Sequence, residues 1–97
     1  MKAQVFSADP AVANGNSGVF VSNGRKALLV ASGTFGGGTI TVKVQQNATP
    51  TYLSTGQTLT ASGILVIDLP RGAPYRFELS GSTTPSIEAC VYVDEHN

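Results

Sequence analysis

The chain is a series of short apolar runs cut by glycine, proline and asparagine, and most runs alternate with a period of two. In Ile40-Thr41-Val42-Lys43-Val44-Gln45 the apolar residues fall on one side and the polar residues on the other. A strand that covers a core with one face reads this way. Tyr75, Phe77 and Leu79 alternate with Arg76, Glu78 and Ser80 in the same manner. Ile87, Ala89, Val91 and Val93 alternate with Glu88, Cys90, Tyr92 and Asp94. One run differs. Ala27 to Ala31 is apolar at every position, the mark of a strand covered on both faces. In a sandwich a central strand can be covered on both faces when a neighbouring subunit packs on one of them.

Further strands are expected at residues 3–7, 18–22, 50–54, 57–61 and 64–69. Pro50 cannot donate to a ladder, which puts its strand at an edge. Asn23-Gly24 between two apolar runs predicts a tight hairpin, because a type I′ turn needs positive φ at both central residues. Gly36-Gly37-Gly38 predicts a second hairpin with a slim, surface-exposed tip, and Ser80-Gly81-Ser82-Thr83 echoes it. Residues 1–17 read as a strand and a lead-in arm, with Pro10, Asn14-Gly15 and Asn16 marking a loop. Residues 18–97 read as the sandwich domain. Seven to eight short strands, turn signals between them and no helical stretch predict an all-β fold, an antiparallel two-sheet β-sandwich. Jelly-roll and immunoglobulin-like strand orders both fit the pattern.

Composition narrows the function classes. Ninety-seven residues make one domain, which buries roughly 60–70% of its unfolded surface. Charged residues are only 12%, with six basic against six acidic side chains. There is no electrostatic footprint for nucleic acid or an anionic membrane. Near-zero net charge gives little repulsion between copies and suits life inside an assembly. Cys90 is the single cysteine, so there is no internal disulfide, and its alternating neighbours make it a half-buried small apolar residue. The N-terminal residues lack the apolar segment of a secretion signal, and no run approaches the ~20 apolar residues of a membrane-spanning helix. Synthesis in a reducing cytoplasm is the expectation.

Candidate chemistry dissolves on inspection. The glycines after Gly33-Thr34-Phe35 invite a phosphate-loop reading, but Thr39 opens a period-two strand where such a loop needs Lys and a helix. His96 is the only histidine and stands next to the C-terminus, where an imidazole is seldom fixed. One His, one Cys and scattered carboxylates lack metal-ligand spacing. Asn47-Ala48-Thr49 matches a glycosylation pattern by chance, with Pro50 directly after it. No catalytic, cofactor-binding or metal residue is assigned, and the chain is not expected to be an enzyme. Arg71, Arg76 and Glu78 read as a solvated strand face, with a subunit contact by arginine–carboxylate pairing as the sharper alternative. Tyr52, Tyr75 and Tyr92 read as core or rim packing, with a sugar-stacking platform as the alternative.

Three segments then carry a resemblance. They are Ser32-Gly33-Thr34-Phe35-Gly36-Gly37-Gly38-Thr39-Ile40-Thr41-Val42, Leu59-Thr60-Ala61-Ser62-Gly63, and Leu69-Pro70-Arg71-Gly72-Ala73-Pro74-Tyr75-Arg76-Phe77 closing on Leu79-Ser80-Gly81-Ser82. Their sequence of turns and strands resembles small β-sandwich virion proteins of tailed bacteriophages, including capsid decoration (cement) proteins. The resemblance implies a virion component made in the host cytoplasm that binds the major capsid protein and clamps capsomers, commonly as a homotrimer. It implies no cofactor, nucleic acid or membrane partner. A head-fibre base, a tail adaptor, or a carbohydrate- or receptor-binding module are the alternatives. The expected contact elements are residues 9–17, the Gly36-Gly37-Gly38 turn and residues 70–74. Deleting residues 1–17 is expected to weaken capsid binding without unfolding the sandwich.

Overall fold

The computed structural model describes residues 2–6, 13–46 and 51–93. His96 and the Asn47-Ala48-Thr49 segment lie outside them, as do residues 9–12 of the 9–17 loop. The described residues form nine strands: β1 (Lys2–Gln4), β2 (Gly15–Asn16), β3 (Phe20–Val21), β4 (Ala27–Thr34), β5 (Thr39–Gln45), β6 (Tyr52–Leu59), β7 (Gly63–Ile67), β8 (Pro74–Ser80) and β9 (Ser86–Val93). The first sheet has the order β1-β9-β4-β7; the second has β2-β8-β5-β6, with β3 also on β8. Every pairing is antiparallel. The expected all-β two-sheet sandwich is what forms.

The register explains the topology. Ala3 faces Val91, Gly15 faces Leu79 and Ala27 faces Ile67, so each advance of twelve residues on one arm matches a retreat of twelve on the other. The chain is one long hairpin folded at its middle, where β5 pairs with β6, and the ribbon is then rolled so that β4 also meets β9 and β5 also meets β8. That is jelly-roll connectivity, distinct from the strand order of an immunoglobulin sandwich.

Two irregularities let the ribbon bend. Between β2 and β3 one extra residue enters, and buried Ser17 keeps the ladder closed: its amide donates to the Phe77 carbonyl at 2.8 Å and its hydroxyl accepts from the Phe77 amide at 2.8 Å. In β6, residues expected as two strands form one, because a bulge at Thr55-Gly56 absorbs the polar interruption. The Thr55 hydroxyl donates to the Val42 carbonyl at 3.0 Å across that slip.

The predicted hairpins at Asn23-Gly24 and Gly36-Gly37-Gly38 do not form. β3 and β4 lie in different sheets, as do β4 and β5, and the Ser80-Gly81 echo likewise links β8 to β9 across the sandwich. All three glycine segments are crossovers. A positive φ bends the chain equally well into a hairpin or over the edge of a sandwich; the long-range pairing decides. Gly36 shows why glycine is needed there. Its φ is +60°, and a Cβ would lie 2.0 Å from the Thr83 carbonyl oxygen.

The core lies between the sheets. Leu29, Ile67, Ile87 and Val91 of the first sheet meet Ile40, Val42, Phe77 and Leu79 of the second, all essentially without solvent contact. Phe20, Tyr75 and Phe77 pack as an aromatic trio with centroids 5.7–5.8 Å apart. Val5 and Phe6 are also buried in this cluster, directly after edge strand β1. Removing residues 1–17 therefore removes the edge strands β1 and β2 and two core side chains.

Candidate functional site

The alternation that fills the core also decides what each sheet shows to solvent. On the second sheet the outward positions of β5 and of the middle of β8 are polar. β5 presents Thr39, Thr41, Lys43 and Gln45, and β8 presents Arg76 and Glu78. Lys43 Nζ lies 2.5 Å from Glu78 Oε1, with both side chains partly exposed. The Arg76 guanidinium sits 3.9 Å from the centre of the Tyr52 ring, a cation–π contact worth about 0.5–1 kcal/mol at such a site. Arg76 Nε is buried with no hydrogen-bond partner. Glu78 thus pairs with lysine and Arg76 with an aromatic ring, while Arg71 stands apart in the 70–74 turn, its Cβ against Gly24. The three residues grouped in sequence form no arginine–carboxylate pair with one another.

The first sheet is the opposite. Its outward row Val66, Leu28, Tyr92 runs across β7, β4 and β9 in register, and the next row is Ile64, Val30, Cys90, continuing to Gln4 on β1. Ile64 is 63% exposed, Val66 46%, Tyr92 45% and Leu28 39%, and Val30 and Cys90 are half-buried. Ser32 and exposed Glu88 form the polar row at one end of this face. Exposed Lys26 and Asp68, just before β4 and just after β7, form the other end. Cross-strand apolar neighbours of this kind support the sheet itself by roughly 0.2–1 kcal/mol a pair. They also leave a contiguous apolar patch of the kind that marks interaction sites. The continuously apolar run Ala27 to Ala31 is its sequence signature: Ala27, Leu29 and Ala31 face the core, Leu28 and Val30 face out.

The β6 and β7 edges of the two sheets are tied together: Gln57 on β6 donates from Nε2 to the Val66 carbonyl of edge strand β7 at 2.8 Å, and a bulge interrupts the β6 ladder. The exposed apolar feature of the first sheet is its face.

The expected loop contacts separate into two ends. At one end Asn14 clasps Ser82: Nδ2 donates to the Ser82 carbonyl at 3.2 Å, Oδ1 accepts from the Ser82 amide at 3.0 Å, and the Ser82 hydroxyl donates to Oδ1 in a short contact. The Thr83 amide donates to the Gly36 carbonyl at 2.9 Å, so the glycine turn lies against residues 82–83 rather than projecting as a free tip. At the other end the 70–74 turn is tied to Ser22 by Gly72 N to Ser22 O at 2.7 Å, Ser22 N to Ala73 O at 2.9 Å and Ser22 Oγ to Leu69 O at 2.9 Å. The sandwich keeps residues 14 and 36–38 together and sets 70–74 away from them.

The tyrosines do not share a surface. Tyr75 is in the core, Tyr52 lies under Arg76 on the second sheet and Tyr92 is on the apolar face of the first. Burial pushes the Tyr75 hydroxyl above its ordinary pKa of 10.0 by disfavouring the phenolate. Among the described residues no cluster of three or more His, Cys, Asp or Glu side chains could hold a metal ion, and no helix is long and apolar enough to cross a membrane. No family model, curated protein or solved structure matches this chain.

Proposed function

We propose that this chain is a structural component of a bacteriophage particle, a capsid decoration protein that binds the outer capsid surface and steadies contacts between capsomers. The observation that carries this reading is the apolar outer face on a small sandwich of formal net charge +0. Such a face leaves a free monomer poorly protected against association, and it suits a protein whose working form is an assembly. The turn-and-strand resemblance to phage virion proteins gives the assembly its class, with the major capsid protein as the partner. In this reading the capsid is met by the end that carries Asn14, the Gly36 turn and residues 82–83, where interlocking hydrogen bonds hold the loops rigid before binding. Repetition over the lattice multiplies a modest single contact through effective concentration.

The test is co-sedimentation with purified capsids that lack the protein. Saturable binding is expected, and Thr83→Arg, an exposed loop substitution, should weaken it at least tenfold while the fold persists. Absence of any saturable binding overturns the reading.

A further inference from the structure

We propose that two copies of this chain pair face to face through the outer surface of the first sheet, about a two-fold axis lying in the interface and crossing the strands. The proposal rests on the reading above that the working form is an assembly, and it names what covers the apolar face.

The distribution of charge selects both the partner and the axis. Lys26 stands at one end of the face and Glu88 at the other, both exposed and neither in an ion pair among the described residues. A two-fold axis across the strands turns the second copy end for end. The Leu28-Val66-Tyr92 row then lies on the partner's row of Val30, Ile64 and Cys90, and Lys26 comes over the partner's Glu88 one strand away. The same pairing occurs twice by symmetry. An axis along the strands would instead keep both copies' Glu88 at one end of the pair, where the face carries no lysine or arginine among the described residues, and could match Lys26 only with Asp68 of its own end. Asp68, at the lysine end, lies on β7's side of Lys26 and away from β9.

A second copy also matches the face in shape and composition. A flat apolar sheet surface is self-complementary, and stacked sheets pack about 10 Å apart. A head-to-tail contact, as in the trimer that the resemblance implies, needs a different apolar surface to receive this one. Among the described residues the other exposed large apolar side chains, Val19, Val21 and Leu53, lie on the second sheet or its approach and form no matching two-row patch. Strands of three, eight, eight and five residues at ~3.3 Å per residue and ~4.8 Å spacing give a face of about 380 Å². Two copies then bury about 760 Å² in total, the size of a weak, transient contact. The pair is therefore weak and dependent on concentration.

Sedimentation equilibrium of the full chain tests this. A monomer–dimer equilibrium is expected, and Ile64→Glu should weaken it by about 100-fold or more by burying an unpaired charge. Ile64 is mostly exposed, so the variant folds, which circular dichroism verifies. Lys26→Glu and Glu88→Lys should each weaken pairing about three- to tenfold, and the double exchange should restore it. Bis-maleimide cross-linking through Cys90, the one cysteine, should trap a dimer that Ile64→Glu abolishes. A monomer at all concentrations to about 1 mM, a trimer, a dimer indifferent to Ile64→Glu, or a double exchange that fails to restore pairing each overturns the proposal. The capsid assay separates the two readings. A chain that pairs but never binds capsids removes the decoration role and leaves the pair. A chain that binds capsids while staying monomeric removes the pair and leaves the role.

Discussion

The two outer faces of this sandwich are made from strands of similar length with the same antiparallel pairing, and both cover one core. On the second sheet, every outward position of β5 and the interior outward positions of β8 carry a polar side chain, and several of these are engaged with each other. On the first sheet, β4 and β7 carry apolar residues at outward positions as well, with Tyr92 and Cys90 beside them on β9. The core uses the inward set. The outward set of the first sheet adds only cross-strand support to the fold, and its apolar character suits a second burial event. Exposed polar faces need no partner; a two-row apolar face without one is an association hazard.

The largest expected effect lies inside, where the faces share a foundation. Phe77→Ala should cost about 3–5 kcal/mol, because the ring is fully buried in the aromatic trio, and thermal unfolding should move down by more than about 10 °C. Next come the outward residues of the first sheet. Val66→Thr and Ile64→Thr keep the β-branched shape and should change monomer stability by less than about 1 kcal/mol, while self-association measured by light scattering falls sharply. If these substitutions destabilise the monomer by several kcal/mol, the face belongs to the fold and the contrast between the faces fails. On the polar face, Lys43→Ala or Glu78→Ala should cost under about 1 kcal/mol, and the cost should shrink as salt is added to denaturant titrations, since both groups are partly solvated.

The smallest effect is confined to alkaline solution. Tyr75 projects inward from the polar sheet, and burial raises its pKa in the folded state. The folded chain therefore holds this proton at pH values where the unfolded chain has released it. The stabilising contribution is complete below pH 10.0 and is lost as the pH rises above it. Tyr75→Phe should lose less stability than the native chain as the pH rises above 10.0 in the same melting series.

Much of this was legible in the chain. Alternation in residues 40–45, 75–80 and 87–93 placed those strands and their inward faces, because a buried side chain at every second position is a local property. The continuous run Ala27 to Ala31 predicts a strand covered on both sides, whereas the chain itself covers only the side of Ala27, Leu29 and Ala31 and leaves Leu28 exposed. The strand order was not legible. Asn23-Gly24 and Gly36-Gly37-Gly38 have the chemistry of tight turns, and only the twelve-residue march of pairings from Ala3–Val91 to Ala27–Ile67 reveals them as crossovers. The apolar face was missed for the same reason. Leu28, Ile64 and Tyr92 are far apart in sequence and become neighbours only when β7, β4 and β9 align. The grouping of Arg71, Arg76 and Glu78 misled in the opposite sense, because neighbours in sequence acquired different partners in Gly24, Tyr52 and Lys43.

Hydroxyl-radical footprinting over a concentration series, read residue by residue by mass spectrometry, tests the central claim that the first sheet's outer face is covered in the working form. Labelling of Leu28, Ile64, Val66 and Tyr92 should fall as concentration rises, while labelling of Tyr52, Leu53 and Val19 stays constant. Constant labelling of all seven, or protection of Tyr52 and Leu53 in place of the first group, would contradict it.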